Sequence, residues 1–117
     1  MRKQKNFAAL KKQVWAWYRK RVSAQDLNAG DKIVLWAITE RFRMETFSSH
    51  DSITYYAKMV GMNRRSVGRS IKQLIVKNII WCVLESEPNK VLKQSQSAGR
   101  KHYLLVGLGA LVDEAVD

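Results

Sequence analysis

Cysteine, histidine and acidic residues are all scarce in this chain, and each shortage narrows what it can do. Cys82 is the single cysteine among 117 residues, so neither an internal disulfide nor a multi-cysteine zinc site can form, and the lone thiol fits a reducing compartment. Its apolar, β-branched surroundings mark it as a buried strand residue. The two histidines, His50 and His102, stand far apart in sequence, and neither sits among cysteines or carboxylates at ligand spacing, so no metal site is expected. No apolar run reaches the roughly 18 residues of a membrane span, and the first residues are too polar for a secretion signal. There is no phosphate-binding glycine loop, no close carboxylate pair outside the acidic C-terminal tail, and no Cys/His or Ser/His arrangement with supporting order. Neither catalysis nor a cofactor is expected. These absences leave a soluble, cytoplasmic, non-enzymatic protein as the expectation.

Acidic residues number 10 against 21 lysines and arginines, a formal charge of +11. Such an imbalance suits a polyanionic partner, with nucleic acid the first candidate. With 46% hydrophobic residues, the chain is expected to fold as one domain that buries a core without staples.

The bases gather first at the N-terminus, where Arg2, Lys3, Lys5, Lys11, Lys12, Arg19, Lys20 and Arg21 precede the first acid, Asp26. Phe7, Leu10, Val14, Trp17 and Tyr18 recur at helical spacing, so an amphipathic helix is expected within residues 1–25. Its apolar stripe has three possible destinations: the core of the domain, a homodimer contact, or a helix ordered on DNA. Trp15 lies off that stripe and either widens the buried face or meets a partner.

After a short connector, Asn28 or Asp31 can cap a helix running to about Phe42. Ile33, Val34, Trp36, Ala37 and Ile38 make it almost apolar all round, which predicts a central helix with Trp36 in the core. Residues 45–50 read as a polar connection, either a short strand or an irregular loop.

Residues 51–77 carry the densest signal. Ser52 can cap a helix whose inward positions are Ile53, Tyr56, Ala57 and Val60; Gly61 ends it in the left-handed conformation, and Asn63 caps the next. At about 100° per residue, Val67, Ile71, Leu74 and Ile75 share one side of this second helix and Arg65, Arg69 and Lys72 the other. Gly68 costs about 1 kcal/mol relative to alanine inside a helix, which predicts close approach of DNA or of another helix.

Ala57, Gly61 and Val67 fit the signature of winged-helix DNA-binding proteins. Ser52, Ala57, Gly61, Met62, Asn63, Arg64, Arg65, Ser66 and Val67 together resemble the form found in phage and plasmid replication-initiation proteins. Tyr56 departs from it, standing where leucine is common, and its hydroxyl requires a buried partner. The resemblance runs from about residue 31 to 107.

Beyond the second helix, residues 79–84 and 102–106 read as strands. The connection between them contains Pro88, Asn89 and Gly99 as breakers and resembles the wing of that family. Residues 108–117 form an acidic tail, within which residues 109–117 can make a short helix burying Leu111 and Val112.

The resemblance therefore implies an α+β, helix-rich winged helix-turn-helix domain with a two-stranded β wing, preceded by an extra basic N-terminal helix. It implies double-stranded DNA as partner, with the second helix in the major groove. On that reading Arg64, Arg65 and Arg69 read bases, while Ser52, Asn63, Ser66 and Lys72 hold the phosphate backbone. Lys90, Lys93, Arg100 and Lys101 act from the wing, and Arg2, Lys3, Lys5 and Lys12 add N-terminal contacts. Replication initiation or origin binding is the role implied; a small transcriptional regulator uses the same reading head. The remaining alternative is a basic RNA-binding or protein-interaction module, for which Trp15, Tyr55 and Tyr103 are candidate exposed aromatics.

Overall fold

Three of the four helices begin where a side chain satisfies their first free N–H groups. A computed structural model describes residues 2–24, 26–92 and 99–109, with side chains from residue 8 onward. After α1 (Arg2–Ala24), Asn28 caps α2 (Ala29–Glu40), Ser52 caps α3 (Ile53–Val60) and Asn63 caps α4 (Arg64–Val76). The cap oxygens accept from Asp31 N at 2.7 Å, Tyr55 N at 3.1 Å and Ser66 N at 2.8 Å. Gly61 closes α3 with φ of 70°, in the left-handed region that glycine enters without cost.

Three antiparallel strands follow, β1 (Ile80–Leu84), β2 (Glu87–Leu92) and β3 (Lys101–Leu105), in the spatial order β2-β1-β3. The architecture is thus α+β, with four helices and one three-stranded sheet among the described residues. Cys82 pairs with Tyr103 on one side and Leu92 on the other. Ser49, in the connection after α2, exchanges two backbone hydrogen bonds with Tyr103, at 3.0 and 2.7 Å, and so extends the sheet beyond β3.

The sheet corrects the expected two-stranded wing. The connection between β1 and β3 contains β2, and Pro88 and Asn89 do not break it. They stand with Lys90 between Glu87 and Val91, opposite the single step from Leu84 to Val83, as an irregularity in an edge strand. An edge strand tolerates a residue that cannot donate a backbone hydrogen bond.

Val34, Leu35, Ala37 and Ile38 of α2, Tyr56 and Ala57 of α3, and Val67, Ile71 and Leu74 of α4 form one buried cluster with Ile80, Cys82, Tyr103 and Leu105 of the sheet. Each fully buried aliphatic side chain stabilises the fold by roughly 1.5–3 kcal/mol. Burial also pushes the Cys82 thiol pKa up.

Of the three destinations open to the N-terminal stripe, α1 takes the core. Leu10, Val14 and Trp17 are buried there, and Trp17 Nε1 donates to Val106 O at 2.7 Å. Arg21 donates to the same oxygen at 2.6 Å. The side chain of Phe7 and the segment carrying Leu111 and Val112 lie outside the described residues.

Two aromatic assignments are corrected. Trp36, expected in the core, is 40% exposed, and Ile33 beside it 44%. The inward arc of α2 is centred on Val34 and Ile38, so residues 33, 36 and 40 point the opposite way; α2 ends at Glu40, short of Phe42. Tyr103, offered as an exposed aromatic, is only 2% exposed, because its strand position alternates toward the helices. Tyr55 is exposed, and Trp15 half-buried. Among the described residues, no helix is long and apolar enough to cross a membrane.

Candidate nucleic-acid interface

The apolar face of α4 fixes what its other face presents. Val67, Ile71 and Leu74 are fully buried and Ser70 nearly so, which turns Arg64, Arg65, Arg69 and Lys72 to solvent. Arg69 makes a 3.5 Å contact with Ser66 Oγ, too long to immobilise it. Gly68 lies on the same outward arc, between Arg64 and Lys72. A Cβ added there would meet no atom within 4 Å, so packing within the described chain does not require the glycine.

Arg64, the first residue of α4, lines an open cleft of about 390 Å³ together with Ser52 at the cap of α3, Thr54 within α3, Arg100 just before β3 and Lys101 at its start. Tertiary structure thus joins one group expected to read bases, one expected to hold the backbone and two expected in the wing. Arg65, Arg69, Lys72, Asn63 and Ser66 do not line this cleft and remain on or beside the outer surface of α4. Lys90 is exposed on β2 and Lys12 on α1, and neither joins the cleft. Lys93 lies outside the described residues, as do the side chains of Arg2, Lys3 and Lys5.

The capping geometry refines what Ser52 and Asn63 can offer an anion. Each spends a side-chain oxygen lone pair on its own helix. The Ser52 hydroxyl proton and the Asn63 amide protons remain as donors.

One carboxylate, Asp51, also lines the cleft. Arg41 Nε reaches its Oδ2 at 2.7 Å and Arg43 Nη2 its Oδ1 at 3.5 Å, so its charge is offset before an anion arrives. The Arg41 guanidinium also lies 4.9 Å from the centre of the Tyr55 ring. This cluster escaped the sequence reading because residues 41–51 carry no periodicity that would aim their side chains.

His50, which lines the cleft, and His102, separate from it in sequence, bring their rings to 4.8 Å between centres, tilted by 42°. His102 Nε2 donates to Glu85 Oε1 at 3.0 Å and its Nδ1 lies 2.7 Å from Ser48 Oγ, while His50 Nε2 accepts from Arg43 Nη1 at 3.0 Å. The bond from His102 holds the Glu85 carboxyl pKa below its usual range, with Arg100 assisting. Among the described residues, no group of three histidine, cysteine or carboxylate side chains is placed to hold a metal ion.

Comparison with protein-family models, curated proteins and solved structures finds no match.

Proposed function

We propose that this chain is a winged-helix protein that binds double-stranded DNA in a sequence-dependent manner. In this reading α3 and α4 are the helix-turn-helix, α4 enters the major groove, and the sheet, with β2 as an added edge strand, carries the wing. The observation that carries it is the placement of Arg64 across one cleft from Arg100 and Lys101, continuous with the free cationic arc of α4. That arrangement suits a helix in the groove with phosphates gripped on its flank.

Arg65 and Arg69 are the base readers of this proposal, since a free guanidinium can give two parallel hydrogen bonds to guanine O6 and N7. Arg64 sits where base edge and phosphate are both within reach. Lys72, Ser52, Asn63 and Ser66 hold the backbone. A net charge of +11 supports the partner class but not sequence preference, because the phosphate contribution is indifferent to sequence and falls with salt.

The resemblance of residues 51–77 to phage and plasmid replication initiators makes origin binding the role we favour. A small transcriptional regulator is the rival, since fold alone does not separate the two.

Selection of duplexes from a random library, at near-physiological salt and with competitor DNA, tests the binding mode. Convergence on a motif that is lost with Arg65→Ala or Arg69→Ala supports it; absence of any enriched motif overturns it. Mapping the motif to repeats at an origin or to a promoter then separates the two roles.

A further inference from the structure

The outer side of the α1–α2 pair carries a surface that the DNA reading leaves unused. The two helices run antiparallel, and two contacts and a shared groove mark their seam. Tyr18 Oη donates to Lys32 O at 3.0 Å, the Trp15 and Trp36 rings lie 6.5 Å apart, and Lys11 and Glu40 line one groove of about 130 Å³. The floor of that groove is apolar, formed by Leu10, Val14, Phe42 and Met44. Ile33 and Trp36 continue it along α2, both more than a third exposed. They point away from the inward arc of α2, against which α4 packs.

We propose that this groove docks an amphipathic helix from a protein partner that carries acidic side chains beside its apolar anchors. The distance along α1 from Lys11 to Tyr18 is about 10 Å, two turns of helix, which matches apolar anchors at i, i+4 and i+7. Lys11 lines the groove, Lys12 and Arg19 are exposed on α1 and Lys32 on α2, and α1 has no acidic residue, so the bases on these two helices outnumber Glu40, the one carboxylate of the lining. That excess of bases is complementary to acidic flanks.

The same surface argues against the other occupants. A second copy would bring two α1 helices, each with bases and no acid, onto one seam. A nucleic-acid strand would lay its phosphates over an apolar floor, with the Trp15 ring already engaged by Tyr18 at 5.4 Å and by Trp36. Because α4 lies on the opposite side of α2, docking here leaves the cationic arc of α4 free. The inference therefore stands independently of the DNA reading.

The probe is a synthetic helical peptide with leucine at i, i+4 and i+7 and glutamate on the flanking positions, titrated into the labelled full chain by NMR. The Trp15 and Trp36 indole signals should move. Those of Trp17, bonded to Val106 O, and Trp81, bonded to Asn78 Oδ1, should hold still and serve as internal controls. Trp36→Ala should weaken binding about tenfold or more, as expected of a central aromatic anchor, and Lys11→Glu should weaken it in a salt-dependent way. Unchanged thermal midpoints will show that both variants fold. Equal binding of a scrambled peptide, or shifts confined to α4, overturns the proposal. So does a dimer in sedimentation velocity that Trp36→Ala dissociates, or a shift of the Trp36 signal by an oligothymidylate that matches the peptide's.

Discussion

The Tyr56 hydroxyl lies 2.6 Å from Ser49 Oγ and accepts from Asp51 N at 3.2 Å, so one phenol in the core joins α3 to the segment that pairs with β3. This is the partner that a tyrosine in a leucine position requires. Tyr56→Phe should keep the ring packing, strand a buried Ser49 hydroxyl and destabilise the protein by about 1–3 kcal/mol in urea denaturation. An unchanged midpoint would show that the hydroxyl is dispensable.

The same phenol makes stability depend on alkaline pH. Burial pushes the Tyr56 pKa up to about 12 and that of Tyr103 further in the same direction. Both therefore hold the proton more tightly folded than unfolded, where tyrosine titrates near about 10. Their contribution is complete below pH of about 10 and is lost as pH rises through the folded-state values. Unfolding measured across that window should show falling stability, with a shallower fall in Tyr56→Phe.

Gly68→Ala should raise stability by about 0.5–1 kcal/mol, since the new methyl group meets open space and alanine is the better helix former. If DNA lies against this arc, affinity for the selected site should fall in the same variant. Thermal melts and fluorescence anisotropy would read these two opposite signs. A rise in both would place the duplex elsewhere.

Arg65→Ala and Arg69→Ala should each cost about 1–3 kcal/mol on the selected site and little on random duplex, relaxing preference at one base pair. Lys101→Ala, facing the cleft, should weaken both duplexes alike and lower the salt slope by about one. Equal losses for all three variants on both duplexes would remove the base-reading roles.

His102→Ala removes the donor that holds the Glu85 carboxyl below its usual range. A depressed carboxyl pKa favours the fold above the ordinary carboxylate range, and the benefit disappears as pH falls through the folded-state value. In the variant, Glu85 observed by carbon NMR should titrate at a higher pH than in the parent chain. An unmoved titration would mean that Arg100, 4.0 Å from the carboxylate, suffices.

Relations between residues three or four apart were legible in the sequence. Asn28, Ser52 and Asn63 cap their helices and Gly61 reverses the chain because each acts on N–H and C=O groups within one turn. The division of α4 into an apolar and a cationic face follows from the same short period, as does the stripe of Leu10, Val14 and Trp17 on α1, but not that stripe's burial in the core. Net charge needs no structure at all. What only the tertiary structure decided is which surface another element covers. Trp36 stays 40% exposed because Trp15 of α1, at a ring separation of 6.5 Å, covers only one flank of it, and Tyr103 faces inward because β3 has the helices on one side. The edge strand β2 arises inside an expected loop because β1 had a free edge to pair with, and a residue's own neighbours do not reveal that edge. The pairing of His50 with His102, and of Arg64 with Arg100 and Lys101 around one cleft, depends on chain reversals that bring distant segments together. Local stereochemistry is written in consecutive residues, whereas exposure and long-range partnership are properties of the packed whole.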